Sequence, residues 1–319
     1  MERHITSIKM KPKIFITGIC GFIGTHLRER LEKEGYHVYG IDNLSNSCKY
    51  RSGDFILDDI LNIDKYEKTI KTYDYIIHLA ALINVEESLG DPEKAVYSNT
   101  VGTLKILELC RKHQIKMIYA STCEIYGDKY TLEKMNEQHR TIPKSPYAAS
   151  KLGADGLCHA YYHSYGTKVV TIRNYNTFGR YQSDHKFGAV IAIFADRLSK
   201  GLPPVIFGDG TQKRDYMSYK DAVAFYMLII NKAEELNLWG EEYNVGLGKN
   251  ISITTLAEKM INLYGYKDNL RPIYTNARPG EVHEFLCDNT KALKLGWRPN
   301  MDFDVLLNEY IAWARKQNE

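Results

Sequence analysis

The chain has 319 residues, 44% hydrophobic and 25% charged, and its 42 basic and 39 acidic side chains leave a net charge of +3. That composition suits a soluble globular protein with a sizeable core; so small a charge, with no Lys/Arg run longer than two, argues against a nucleic-acid partner. The longest apolar stretch, Tyr75 to Val85, is broken by His78 and Asn84 and is far short of the ~20 residues that span a bilayer.

Met1 to Lys11 carry no apolar signal core, so export is not expected. The six cysteines (Cys20, Cys48, Cys110, Cys123, Cys158, Cys287) contain no C-x-x-C pair, which disfavours a disulfide scaffold or a structural metal. A cytoplasmic enzyme without metal is the expectation. In chain order, Lys13–Thr17 reads as a buried strand, Phe22–Lys33 as a helix stopped by Gly35, and His37–Ile41 and Asp54–Leu57 as strands. Asp74–Leu79 and Lys116–Ala120 are further strands flanking a long helix from Pro92 to His113, followed by a helix Pro146–Tyr165 and a strand Lys168–Ile172. This alternation predicts an α/β fold with a Rossmann-like, doubly wound parallel sheet. After Gly179 the rhythm loosens, with helices at Gly188–Lys200, Tyr219–Glu234, Thr254–Tyr264 and Phe303–Lys316. A smaller, partly interleaved C-terminal α/β domain is expected beyond a soft boundary near 180.

Gly18-x-x-Gly21-Phe22-Ile23-Gly24 follows the first strand and opens a helix, so small residues let backbone approach a pyrophosphate whose charge meets helix N-terminal amides. Asp42 ends the second strand, where a carboxylate holds adenosine ribose hydroxyls and would repel a 2′-phosphate; this favours NAD over NADP. Asn43, Asp59, Ile60, Leu79, Ala80 and Ala81 fall at or after later strand ends, at the edge where Rossmann ligands bind. Ser121-Thr122-Cys123-Glu124 emerges from the strand Lys116–Ala120 at the same edge. Tyr147 and Lys151, at i and i+4, share one helical face. A nearby ammonium should lower a phenol from its ordinary ~10, letting Tyr147 accept a hydroxyl proton, with Thr122 bonded to the same hydroxyl.

Taken together these motifs resemble the extended short-chain dehydrogenase/reductase family, in particular its NAD-dependent nucleotide-sugar epimerases and dehydratases, from Ile14 to about Trp313. The resemblance implies a NAD-binding domain over 12–180, a mainly nucleotide-sugar-binding domain over 181–319, tightly bound and recycled NAD, and transient oxidation at the sugar C4. It implies that Asn99 shapes the catalytic region beside the cofactor, that Asn176 and Arg214 hold the sugar diphosphate, and that Arg278 with Glu281 holds the nucleotide end. In this family the helices Pro92–His113 and Pro146–Tyr165 commonly pair with a second copy, so a homodimer is expected.

The Cys123-Glu124 pair bears on the step after oxidation. Related 4,6-dehydratases carry a glutamate at the position of Glu124, where it takes the C5 proton; simple 4-epimerases usually carry small or hydroxyl side chains here. Elimination of water beside a ketone needs such a base, its pKa somewhat raised by desolvation. Cys123 departs from the Asp-Glu dyad of thymidine-diphosphate-glucose enzymes and is closer to hexosamine dehydratases with Cys-Glu; it reads equally as packing filler. The expected activity is therefore a nucleotide-sugar dehydratase (4,6-, or a 5,6- variant), on a UDP-sugar such as UDP-N-acetylglucosamine. The alternatives are a UDP-sugar 4-epimerase, a UDP-glucuronate decarboxylase with Lys291 as carboxylate clamp, and a non-catalytic NAD-binding regulator. Intact Thr122, Tyr147 and Lys151 disfavour the regulator. Leu82–Val85 and Tyr181–His185 are expected to line the sugar pocket, Asn84 meeting a 2-acetamido group.

Overall fold

A computed structural model describes residues 11–46, 53–131, 133–182, 189–267 and 269–316. Strands β1 (Ile14–Thr17), β2 (Val38–Asp42), β3 (Ile56–Leu57), β4 (Tyr75–His78), β5 (Lys116–Thr122) and β6 (Val169–Asn174) follow one another, with helices between all of these but β2 and β3 among the described residues. Consecutive strands joined by crossover helices must lie parallel, and all of these do. Their edge is completed by a strand from far downstream. After β7 (Asn176–Phe178), β8 (Val205–Phe207) and β9 (Lys213–Ser218), β10 (Glu242–Val245) returns to pair with β6, giving the order β10-β6-β5-β4-β1-β2-β3. The sequence pattern predicts no strand at β10. It is four residues long, begins with Glu242, and is identified only by its partner.

Side chains alternate across this sheet. Ile14 and Ile16 face one layer with Leu27, Leu31, Phe194 and Phe225, while Phe15 faces the other with Ile76, Leu107, Met117 and Tyr119. Each such fully buried side chain contributes about 1.5–3 kcal/mol. The first layer is shared with helices of the C-terminal half, Val190–Ser199 and Tyr219–Lys232, so both halves of the chain stand on one core. The remaining strands, β11 (Asn250–Ser252) and β12 (Ile273–Thr275), make small sheets β11-β9-β7 and β12-β8 beside the cleft.

The helices Phe22–Lys33, Pro146–Tyr165 and Phe303–Lys316 have the expected bounds. β5 runs two residues past Ala120, because Ser121 and Thr122 keep their pairing with Arg173 and Asn174. The expected helix from Pro92 to His113 contains a π turn, Tyr97–Val101, and that insertion turns Asn99 inward.

Asn99 ends a buried chain of hydrogen bonds. The Thr103 hydroxyl gives its single proton to the Asn99 carbonyl (2.6 Å), so it accepts from His78 Nε2–H (2.9 Å). His78 Nδ1 must then accept from the Thr17 hydroxyl (2.6 Å), whose oxygen receives the Ala80 N–H (3.2 Å). Burial, reinforced by the charge of Lys151, holds His78 neutral and lowers its pKa to about 3. The unfolded chain therefore binds a proton that the native state refuses, and stability falls as pH drops from the ordinary 6.5 towards about 3. Relative to His78→Asn, wild type should lose about 1.4 kcal/mol per pH unit across that window, measured by urea unfolding at stepped pH.

Candidate active site

A cleft of about 1020 Å³ opens over the carboxyl ends of the sheet strands. Of the described residues expected to act in catalysis or to bind cofactor or substrate, all but Asn99 and Lys291 line it. Asn99 acts from behind the wall. Its amide nitrogen donates to Leu82 O and Ser150 Oγ (both 2.9 Å), and its oxygen accepts the Leu82 N–H (2.8 Å). It thereby fixes the loop after β4 against the helix that carries Tyr147.

At one end, Gly18 has φ +73° and a Cβ there would lie 2.8 Å from Ala80 N; at Gly24 it would lie 2.1 Å from Gly18 O. Only glycines allow the helix Phe22–Lys33 to start this tightly under the turn. That helix has no side-chain N-cap and no acidic residue in its first turn, so its first amides are left for an anion in the cleft. Asp42 sits at the end of β2, accepts the N–H groups of Cys20 (2.9 Å) and Leu44 (2.8 Å), and borders the same space. Asn43 donates to Asp59 (2.7 Å), which also caps the turn at Ile60 through Leu61 N–H (2.9 Å). An uncapped helix start beside a strand-end carboxylate fits NAD: the amides would hold its pyrophosphate and Asp42 its adenosine ribose.

At the centre, Thr122 ends β5 and its Oγ1 accepts the Glu124 N–H (3.2 Å), starting the short turn Cys123–Tyr126. The Glu124 carboxyl is raised above its ordinary value by burial, against the pull of Arg214 and with a push from Glu281. No hydrogen bond to that carboxylate is found among the described residues. Cys123, 2% exposed, packs with Ile125, Tyr175, Val282 and Phe285, and burial keeps its thiol protonated. Tyr147 is raised chiefly by burial, with the Thr122 hydroxyl pulling the other way. Lys151 differs from expectation. Its Nζ donates to Ala120 O (2.6 Å) and lies 4.4 Å from the Tyr119 ring centre, and burial lowers its pKa to about 7. The Tyr147 phenol is thus raised, and the pull opposing burial comes from Thr122.

At the far end, Arg214 is buried, bonded to Glu281 and to Lys213 O (3.0 Å), and Arg278 lies 3.7 Å over the Phe207 ring. Asn176 Oδ1 is buried without a partner among the described residues, as are Asn174 Oδ1, Gln182 Oε1 and Tyr216 OH in the same wall. Asn174 and Tyr216 are not anticipated from sequence and Gln182 only as part of a pocket loop; the one local signal for Tyr216 is its place two residues from Arg214. Asn84 differs from a dedicated acetamido partner: its Oδ1 accepts Glu87 N–H (2.7 Å) and caps the helix Val85–Gly90. Lys291 is not in the cleft wall, since it donates to Glu242 O (2.7 Å) and pairs with Glu241 (2.6 Å). Leu82–Val85, Tyr181 and Gln182 line the cleft, whereas Ser183, Asp184 and His185 lie outside the described residues.

Comparison with known proteins agrees with this layout. The family profile described as GDP-mannose 4,6 dehydratase matches residues 15–310. A putative UDP-glucose 4-epimerase of Methanocaldococcus jannaschii is 33% identical over 311 residues, spanning 96% of this chain and 99% of that protein. The structure of a Thermotoga maritima UDP-glucose 4-epimerase with UDP-glucose aligns with a TM-score of 0.90 at 30% identity, covering 96% of this chain and 100% of that one. A dTDP-glucose 4,6-dehydratase of Streptomyces venezuelae with NAD bound aligns with a TM-score of 0.87 at 26% identity, covering 96% and 98%. With an NAD-shaped cradle at one end of the cleft and matches running the length of the sequence, the chain belongs to the extended short-chain dehydrogenase/reductase family of NAD-dependent nucleotide-sugar epimerases and dehydratases.

Proposed function

We propose that the protein is a nucleotide-sugar dehydratase. It oxidises C4 of a UDP-hexose such as UDP-N-acetylglucosamine and eliminates water across C5 and C6, as a 4,6-dehydratase or its 5,6- variant. The observation that carries this reading is Glu124, a carboxylate at the tip of β5 that lines the cleft beside Thr122 and Tyr147 and is engaged by no hydrogen bond among the described residues. NAD, when bound, would supply a two-electron acceptor for C4 and the same hydride back, to C6 with a proton to C5 in the 4,6- course or to C4 with a proton to its oxygen in the 5,6- variant, so that the net change is loss of water. Tyr147 takes the C4 hydroxyl proton while Thr122 steadies the same oxygen. The resulting ketone acidifies C5, whose proton passes to Glu124; the C6–O bond then breaks and the oxygen leaves as water, protonated by Glu124 or solvent. Cys123, held as a neutral thiol in an apolar cluster, serves there at most as a weak donor.

The charge of the sugar end supports a neutral hexose rather than a uronate. Lys291, the candidate carboxylate clamp, lies outside the cleft wall and is tied to Glu241 and Glu242 O. Arg214, Arg278, Asn176 and Glu281 are taken as the diphosphate and nucleotide contacts, with 12–180 as the cofactor half and 181–319 as the main substrate half. The exposed apolar side chains Val96, Leu104 and Tyr165 support pairing of their helices with a second copy. A second reading, UDP-sugar 4-epimerase, is favoured by what the M. jannaschii and T. maritima relatives are called.

The product decides between them. With UDP-N-acetylglucosamine in deuterated water, dehydration loses the mass of water, read by mass spectrometry, and NMR then shows solvent deuterium at C5 for the 4,6- course or a C5–C6 alkene for the 5,6- variant; an isomer of unchanged mass carrying no deuterium would establish the epimerase instead. Glu124→Gln should slow elimination by about 10²–10⁴-fold while C4 oxidation persists, so that NADH absorbance accumulates. Because Glu124 works as a base only when ionised and burial raises its pKa, elimination should fail as pH drops through a value above the ordinary 4.5. A pH–rate profile with its acid limb at or below 4.5 would contradict the burial argument.

A further inference from the structure

The turn Cys123–Tyr126 has 3₁₀ geometry, in which residues three apart lie on the same edge. Cys123 and Tyr126 are therefore both buried, Ile125 is too, and Glu124 is the least buried member of the turn and lines the cleft beside Cys123. Apolar packing alone permits small rotations of so short a turn; a polar anchor does not. Tyr126 provides one. Its hydroxyl donates to Asn244 Oδ1 (2.7 Å) and accepts from Arg173 Nη1 (3.0 Å). Arg173 in turn grips Asp155 with two bonds (3.1 and 3.0 Å), and Asp155 also accepts from Ser121 Oγ (2.7 Å). Asp155 lies one helical turn beyond Lys151, on the helix that bears Tyr147. Asn244 is fixed independently, donating to Met135 O (2.9 Å) from its amide and to the Glu137 carboxylate from its backbone N–H (2.8 Å). Gly127, at φ +66°, closes the far end of the turn with its N–H on Glu124 O (3.2 Å).

We infer that Tyr126 is a positioning residue for the elimination step: through Arg173 and Asn244 it references the Glu124 turn to the helix carrying Tyr147, so that the C5 base is set relative to the C4 oxidation machinery. This rests on the dehydratase reading. None of these three side chains bonds Thr122, Tyr147 or Lys151, so loosening the anchor should move the C5 base more than the group acting at C4.

The test compares two steps in the same protein with UDP-N-acetylglucosamine: the rate of water loss, which needs removal of the C5 proton, and the single-turnover rise of NADH. Tyr126→Phe keeps the ring and removes the hydroxyl. It should slow the C5 step by about 10–10²-fold, the scale of a misplacement near 1 Å, and NADH formation by less than about threefold. Asn244→Leu should reproduce that split, and Asn244→Asp, which keeps an acceptor for the Tyr126 hydroxyl, should largely restore it. Should Tyr126→Phe not fold, the two Asn244 variants give the same comparison. Equal slowing of both steps, or an unchanged rate of water loss in Tyr126→Phe or Asn244→Leu, overturns the positioning role. Absence of water loss from the substrate with the wild-type protein overturns the dehydratase reading, and the assignment to Tyr126 falls with it.

Discussion

An uncharged imidazole buried between two threonines ties the cofactor end of the cleft to its chemistry. His78 has to remain neutral with a fixed tautomer, because Thr103 has no proton left to give it and Thr17 has one to offer. From that one orientation the chain of bonds runs to the Asn99 carbonyl, through the Asn99 amide to Leu82 and Ser150, and from Ser150 Oγ to Tyr147 O (2.8 Å). The strand bearing the glycine turn, the loop that borders the cofactor and the first turn of the Tyr147 helix thus share one internal frame. In a low-dielectric interior such a network is stiff only when every member is satisfied, and each named donor here has its acceptor.

Electrostatics in the cleft follow burial more than pairing. Tyr147 is shifted upward and Lys151 downward, in each case by loss of water, and Glu124 is raised in the same way with Arg214 opposing. Removal of solvent brings all three groups closer to neutrality than they would be at the surface, which leaves proton transfers among them and a bound hydroxyl with little charge separation to overcome. Arg214, bonded to Glu281, and Arg278, over the Phe207 ring, line the opposite end.

Much of this is legible in the sequence because local chemistry dictates it. Pro146, the Ser145 cap and Gly166 bracket one helix, Gly21 and Gly35 another, and these residues set their bounds. The glycine turn, Asp42, Thr122, Tyr147 and Lys151 are recognisable because each residue type is needed at a fixed spacing from a strand end. The features that escape such reading depend on partners remote in sequence. The π turn at Tyr97–Val101 has no local signature; it exists because Asn99 finds Leu82 and Ser150. Ser121 and Thr122 fall just past the strand end expected at Ala120, and only β6 supplies the ladder partners that carry the strand on through them. The expected lowering of Tyr147 by Lys151 follows from spacing alone, whereas the depth at which both side chains lie is set by the whole core and shifts the phenol upward.

The return of β10 to the edge of β6 also constrains how the protein is made. Until about residue 245 has left the ribosome, β6 has no neighbour on its outer side, and Val169, Val170 and Ile172 sit on a bare backbone edge open to any passing strand. A fragment truncated after the cofactor-binding half would carry that open flank permanently. The nascent chain must instead hold its nearly finished sheet through the synthesis of some seventy more residues, a window in which chaperone cover or rapid docking of the later segments would decide yield.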